Sequence, residues 1–256
     1  MQQGERPRKR VVWMGSNREI AKLALRRILQ RANLGVSRDP AMKRLVRTLE
    51  SLSVDTVLDV GANEGQFAAL LRSAGFGGRI ESFEPLPDAF AALERRVVKD
   101  KAWRAHRCAL GEDVGVTTIN VSQNSYSSSI LDMTSTHLRA APESRVIGKI
   151  EVPLQRLEDL AADLDVVPSR TLLKVDTQGY ERQVLRGASS LMGDIAALQL
   201  ELSMVTLYSG QVLFDEMRAL LANQGLRLVS LEPGISDDRG WMLQCDGVFV
   251  RDSLDI

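Results

Sequence analysis

The feature that most constrains this chain is a short apolar strand running without interruption into a glycine-bearing turn and then an apolar helix. Asp55–Val60 reads DTVLDV, the turn reads GANEG, and FAALLRSAG follows with helical apolar spacing. A short buried strand delivered straight into a helix belongs in a sheet covered on both faces, with parallel neighbours. Asp59 stands where the strand ends. Gly61 and Gly65 let the backbone turn closely with no Cβ in the way of a ligand. Backbone N–H groups at the helix start can receive a ligand carboxylate or phosphate, although glycines at such a turn serve purely structural ends as often. The turn lacks the full GxGxxG spacing and carries Asn63 inside it. About twenty residues further on, IESFEP ends a second strand at Glu84, the spacing at which an acid accepts hydrogen bonds from two ribose hydroxyls. Its charge disfavours a phosphate on that ribose, so a nucleoside without one is the expected ligand.

The same alternation continues along the chain. Arg79–Phe83, Trp103–Leu110, Val114–Val121, Val146–Val152, Thr171–Val175, Ala196–Leu202, Leu226–Leu231 and Met242–Val250 are the further expected strands. Helices are expected over Asp88–Val98 and Val212–Asn223, and the last two strands, joined by EPGISDDRGW, can form an antiparallel hairpin at one edge. A single α/β domain with a mostly parallel sheet is the economical architecture.

Charge divides the chain. The 33 Lys and Arg balance the 33 Asp and Glu overall, yet thirteen of the former and four of the latter fall in residues 1–50. A basic extension therefore precedes an acidic remainder. Arg18–Leu34 reads as an amphipathic helix with Ile20, Leu23, Ala24 and Ile28 on one side, and Ala41–Leu49 as a second short helix. Such a stripe can cover the main domain or a second copy of the chain, so a homodimer is possible. The neutral total argues against a protein built mainly to hold nucleic acid phosphate. Cys108 and Cys245 are too few for a disulfide framework and are expected to be reduced thiols. No stretch predicts a signal peptide or a transmembrane helix, and a cytoplasmic location is the default expectation.

A second polar constellation follows the strand LLKV. Asp176 leaves it toward the same sheet edge as Asp59, with Lys174, Tyr180 and Glu181 nearby. Asp176 is the leading candidate to accept a proton or orient a substrate, against a turn-capping role. His137 is the second candidate base; it sits in NSYSSSILDMTSTHLRAAP, a polar insertion suited to a lid. Asn124, Tyr126 and Ser127–Ser129 in that insertion offer hydrogen bonds to a hydroxyl-rich substrate, as do Tyr180 and Glu201 at the end of ALQLE. His106 is expected to pack beside the ligand region. Two carboxylates plus His137 can in principle hold a divalent metal, but no compact ligand motif supports one, and a metal is not favoured.

These residues resemble the class I S-adenosylmethionine-dependent methyltransferases, and more closely the FkbM type. The resemblance runs through DVGANEGQF, SFEPLPDAF, the ALG of Ala109–Gly111, LLKVDTQGYERQVLRGA and the acid at Glu201. It implies a Rossmann-like, seven-stranded, mostly parallel sheet over residues 51–256, with a polar lid or insertion around 120–145 and the basic helical extension of residues 1–50 outside it. It implies S-adenosylmethionine as cofactor, with Asp59, Gly61, Asn63 and Gly65 around its methionine part, Gln66, Phe67 and Pro85 alongside, Glu84 on the ribose, and Cys108 and Ala109 on the adenine side. The family often has an acid where this chain has Gln178. The implied activity is O-methylation of a hydroxyl on a sugar, glycolipid or polyketide-like small molecule. Alternatives are N-methylation, methylation of nucleic acid, or cofactor binding without catalysis; a nicotinamide enzyme fits the later motifs less well.

Overall fold

The computed structural model describes residues 39–251. The expected helix Arg18–Leu34 and its apolar stripe lie outside them. The first described helix, α1 (Pro40–Ser51), starts where Asp39 Oδ1 accepts from the Ala41 and Met42 N–H groups at 3.0 and 3.3 Å, with Pro40 at the first turn. It buries Leu45, Val46 and Leu49 in one core with Val57, Leu71, Ile80 and Leu172.

A parallel sheet begins with β1 (Thr56–Val60), all five residues buried. It continues through β2 (Arg79–Phe83) and β3 (Trp103–His106) on one side. On the other side lie β7 (Thr171–Val175), parallel to β1, and β8 (Ala197–Ser203), parallel to β7. β9 (Leu226–Pro233) and β10 (Gln244–Arg251) are antiparallel to one another, and β10 is inserted between β8 and β9. The order β3-β2-β1-β7-β8-β10-β9 is a seven-stranded, largely parallel, Rossmann-like sheet. Its parallel strands are linked by α2 (Gln66–Ser73), α3 (Pro87–Val97), and the short helices α6 (Glu181–Arg186) and α7 (Ser189–Met192); α8 (Phe214–Asn223) precedes the final hairpin.

Two expectations change. Trp103–Leu110 is two strands, because the main sheet releases the chain after His106: the Glu84 N–H takes the His106 carbonyl at 3.1 Å, Pro85 has no N–H, and the Leu86 N–H turns back onto the Glu84 carboxylate. The remainder, β4 (Ala109–Leu110), joins a second sheet with β6 (Val146–Gln155), which pairs with β5 (Gly115–Ser122) as an antiparallel ribbon. The expected strands at 114–121 and 146–152 therefore belong to a small separate sheet. The polar insertion between them contains a 3₁₀ turn at Ser125–Ser127 and α4 (Ser135–Ala140), and α5 (Leu157–Ala161) follows β6.

Candidate active site

Parallel strands aligned at their carboxyl ends leave a crevice there, since the loops that leave them diverge. A cavity of about 280 Å³ fills it, bounded by Gly61, Glu84, Asp176 and Glu201 from the main sheet and by Ser125–Ile130 of the insertion.

The cavity floor is a close crossing of two loops. Gly61 adopts φ +74°, and a Cβ there would lie 1.9 Å from the Asp176 carbonyl oxygen. The Gly61 and Ala62 N–H groups donate to Phe83 O at 3.1 and 3.0 Å, and the Asp176 N–H donates to Val60 O at 3.1 Å. Asn63, at φ +48°, donates its N–H to Glu84 Oε2 at 2.8 Å, and Leu86 N–H donates to Oε1 at 2.8 Å. Glu84 is buried, and that burial pushes its carboxyl up to about 7 against the help of the two N–H donors. Each carboxylate oxygen retains further acceptor capacity, while Phe83, Leu86, Cys108, Ala109 and Leu110 form an apolar wall beside it. A diol acceptor next to an apolar slot fits an adenosine group.

Asp59 lies elsewhere than at the cavity surface. The register sets Ser82, Asp59 and Lys174 side by side across β2, β1 and β7. The fully buried Asp59 carboxylate has Oδ1 3.2 Å from Lys174 Nζ and accepts from Ser82 Oγ at 3.3 Å. Lys174 Nζ also donates to Gly61 O at 3.3 Å and stands 3.6 Å from Asp176 Oδ2. Burial works against this ammonium, but the charges of Asp59 and Asp176 outweigh it and its pKa rises. Phe67 lies off the cavity lining, with its ring centroid 5.5 Å from Lys174 Nζ. Gly65 is also off the lining; a Cβ there would meet Leu93 and Trp103 side chains at 2.8 Å.

Of the residues expected near the cofactor, the cavity thus gathers Gly61, Asn63, Glu84, Pro85, Cys108 and Ala109, and leaves Asp59, Gly65, Gln66 and Phe67 outside its lining. Of the expected substrate contacts it gathers Tyr126, Ser127, Tyr180 and Glu201. Asn124 stays outside, accepting from the Ser127 N–H at 3.0 Å and donating to Ser144 Oγ at 3.0 Å.

Hydrogen bonds fasten the insertion over the cavity. Gln66 Nε2 donates to the Tyr126 hydroxyl at 3.1 Å, and Ser129 Oγ donates to Gln178 O at 2.7 Å. Of the two candidate bases, Asp176 lines the cavity and His137 does not. The His137 ring is 1% exposed, packs edge-on against Tyr208 at 5.0 Å, and has no hydrogen-bond partner on either nitrogen among the described residues. Burial lowers its pKa and favours the neutral ring. His106 binds Glu81 at 2.8 Å and stacks on Phe83. Glu181 organises the turn after Asp176, accepting from the Thr177 and Gly179 N–H groups at 2.9 and 3.0 Å. Sequence reading missed Ile119 of β5 and the loop residues Ile130 and Ile235, which line the cavity, because the return of each segment to the site depends on tertiary pairing.

The buried carboxyls make stability depend on pH. Burial raises Glu84 and Glu181 to about 7 and Asp246 to about 6, and also raises Asp59 and Glu201. Between their ordinary values and these, the folded chain holds more protons than the unfolded one, so stability falls as pH rises. His137 acts in the opposite sense below its ordinary 6.5, but it is one group against five. The urea midpoint is therefore expected to be lower at about pH 8 than at about pH 5.5; a higher midpoint at alkaline pH contradicts the assignment.

Residues 59–228 match the Methyltransferase FkbM domain family. The chain belongs to that family. As a member of the FkbM family it is an S-adenosylmethionine-dependent methyltransferase. It is 25% identical over 188 residues to Methyltransferase 1 of Beauveria bassiana, covering 69% of this chain and 74% of that one. It is 28% identical over 159 residues to the 31-O-demethyl-FK506 methyltransferase FkbM of Streptomyces tacrolimicus, covering 52% of this chain and 59% of the relative. The magnesium protoporphyrin IX methyltransferase of Synechocystis, solved with bound S-adenosylmethionine, superposes at TM-score 0.44 with 12% identity over 84% of this chain and 80% of that one. Among the described residues no helix is long and apolar enough to cross a membrane, and no group of three or more His, Cys, Asp or Glu is placed to hold a metal ion.

Proposed function

We propose that this FkbM-family enzyme methylates a hydroxyl oxygen of a small molecule, a sugar, glycolipid or polyketide-like metabolite, with Asp176 receiving the hydroxyl proton. The observation that carries this reading is the shared cavity, in which Glu84 and Asp176 follow the ends of β2 and β7, on either side of β1, beneath a serine-rich roof. Glu84 would accept the ribose hydroxyls, the wall of Phe83, Leu86 and Cys108 would take the adenine, and Gly61 and Asn63 would border the amino-acid part. When bound, S-adenosylmethionine supplies a methyl on a cationic sulfur that departs as a neutral thioether. Asp176 keeps a side chain 34% exposed, unlike the buried Asp59, and so can meet an incoming hydroxyl. Proton acceptance by a positioned carboxylate contributes about 10²- to 10⁴-fold to such a transfer. The naming of one relative for 31-O-demethyl-FK506 supports a polyketide-like acceptor.

Incubation with S-adenosylmethionine and a panel of hydroxylated sugars, glycolipids and polyketides, read by mass spectrometry, tests the proposal. A product heavier by one methylene whose new methyl lies on oxygen supports it. Methylation confined to amines or to nucleic acid overturns it.

A further inference from the structure

Gln178 occupies an unusual place for a neutral side chain. Its Nε2 lies 2.9 Å from Asp176 Oδ1 and 2.7 Å from Glu201 Oε2, so the two amide hydrogens serve two carboxylates on different strands. Its Oε1 accepts from the Tyr208 hydroxyl at 2.7 Å, and Tyr208 is fully buried. The reverse amide orientation would set an oxygen against both carboxylates, so the two acids fix the orientation, and Oε1 is left to accept from Tyr208. The backbone takes part as well. Gln178 adopts φ +56°, its carbonyl accepts from Ser129 Oγ of the roof, and the Tyr208 hydroxyl is also 3.1 Å from Ser127 O.

We propose that Gln178 is the positioning residue of proton transfer: its amide fastens Asp176 to Glu201, and the buried Tyr208 braces that amide by donating to its Oε1. The proposal rests on the reading of Asp176 as proton acceptor. A carboxylate that accepts an N–H is held in its charged form and in one rotamer, with its other oxygen left for substrate. Asp176 Oδ2 is that other oxygen, shared only at 3.6 Å with Lys174. The surrounding titratable groups are Lys174 and the buried Asp59 behind it, Glu181 from α6, Asp246 from β10, and Tyr208. Only Lys174 is cationic, and it stands on the Asp176 side of the pair. The amide is therefore what joins Glu201 to Asp176.

The titration itself needs no methyl acceptor. Carbon-13 NMR of the full chain labelled at its Asp and Glu carboxyls follows the pair, assigned through Asp176→Asn and Glu201→Gln. In Gln178→Met, which keeps the length of the side chain and removes both donors, the pair is expected to take up its first proton at a pH higher by about one unit. Tyr208→Phe is expected to move it in the same direction by less, and decides the matter alone if Gln178→Met does not fold. S-adenosylhomocysteine affinity, measured by calorimetry, is expected to stay within about threefold in both. Titration unchanged in the variants overturns the proposal. The two readings fail separately: an active Asp176→Asn removes the proton acceptor whatever the titration shows, whereas an inactive Asp176→Asn with unshifted Gln178 and Tyr208 variants removes only the role of Gln178.

Discussion

Asparagine in place of Asp176 is expected to slow methyl transfer by about 10²- to 10⁴-fold while leaving S-adenosylhomocysteine affinity within about threefold of the parent. The substitution preserves shape, and one side-chain oxygen can still accept from Gln178 Nε2. Lys174 keeps the Asp59 carboxylate at 3.2 Å and the Gly61 carbonyl at 3.3 Å, so its charge stays compensated and the crossing of the two loops stays closed. What disappears is the capacity to take a proton. Measured kcat and KM for the identified acceptor, with calorimetry for the cofactor product, separate this from a binding defect. Parent-like kcat in Asp176→Asn would show that another group, or solvent, removes the proton.

Alanine at Gly61 is expected to be among the most damaging single methyl additions in the chain. The new Cβ would lie 1.9 Å from Asp176 O and 2.9 Å from its carbonyl carbon, inside any permissible contact, at a backbone with φ +74°. Neither loop can yield cheaply, since the Gly61, Ala62 and Asp176 N–H groups are all committed to carbonyls of adjoining strands. Overpacking and left-handed strain together make a loss on the order of 3 kcal/mol or more. Gly75→Ala supplies the control: its φ is +112°, but nothing lies within 4 Å of the added carbon, so it bears the backbone cost alone. Equal urea midpoints for the two variants would contradict the close crossing at the base of the site.

What could be read from sequence follows from how local each cause is. β1 and β7 were legible because each carries a buried apolar stretch ended by a turn residue, Gly61 or Asp176, and β2, with only Ile80 and Phe83 apolar, was legible from the Glu84–Pro85 stop and its spacing from β1. The break between His106 and Ala109 was not, since it depends on the missing N–H of Pro85 in the loop that follows the neighbouring strand. Glu84 could be placed at the sheet edge where the cavity lies from its spacing alone. Asp59 carries an equally suggestive position in the sequence, yet register sets it beside Lys174, more than a hundred residues away, and the ion pair takes it into the interior. His137 is similar, because nothing in a polar insertion announces that its imidazole will be covered by Tyr208. Gln178 stands out in sequence only as a departure from a pattern; the reason for an amide there appears once two carboxylates from β7 and β8 converge on it.

The central claim is that S-adenosylmethionine is held in the cavity at the strand ends with Glu84 as its ribose anchor. Calorimetric titration of the full chain and of Glu84→Ala with S-adenosylhomocysteine tests it most directly, with a melting curve of each protein alongside. Stoichiometric binding by the parent, weakened at least about tenfold in a folded Glu84→Ala by loss of charge-assisted hydrogen bonds, is the predicted result. Absence of binding to the parent, or equal affinity in the two proteins, would contradict it.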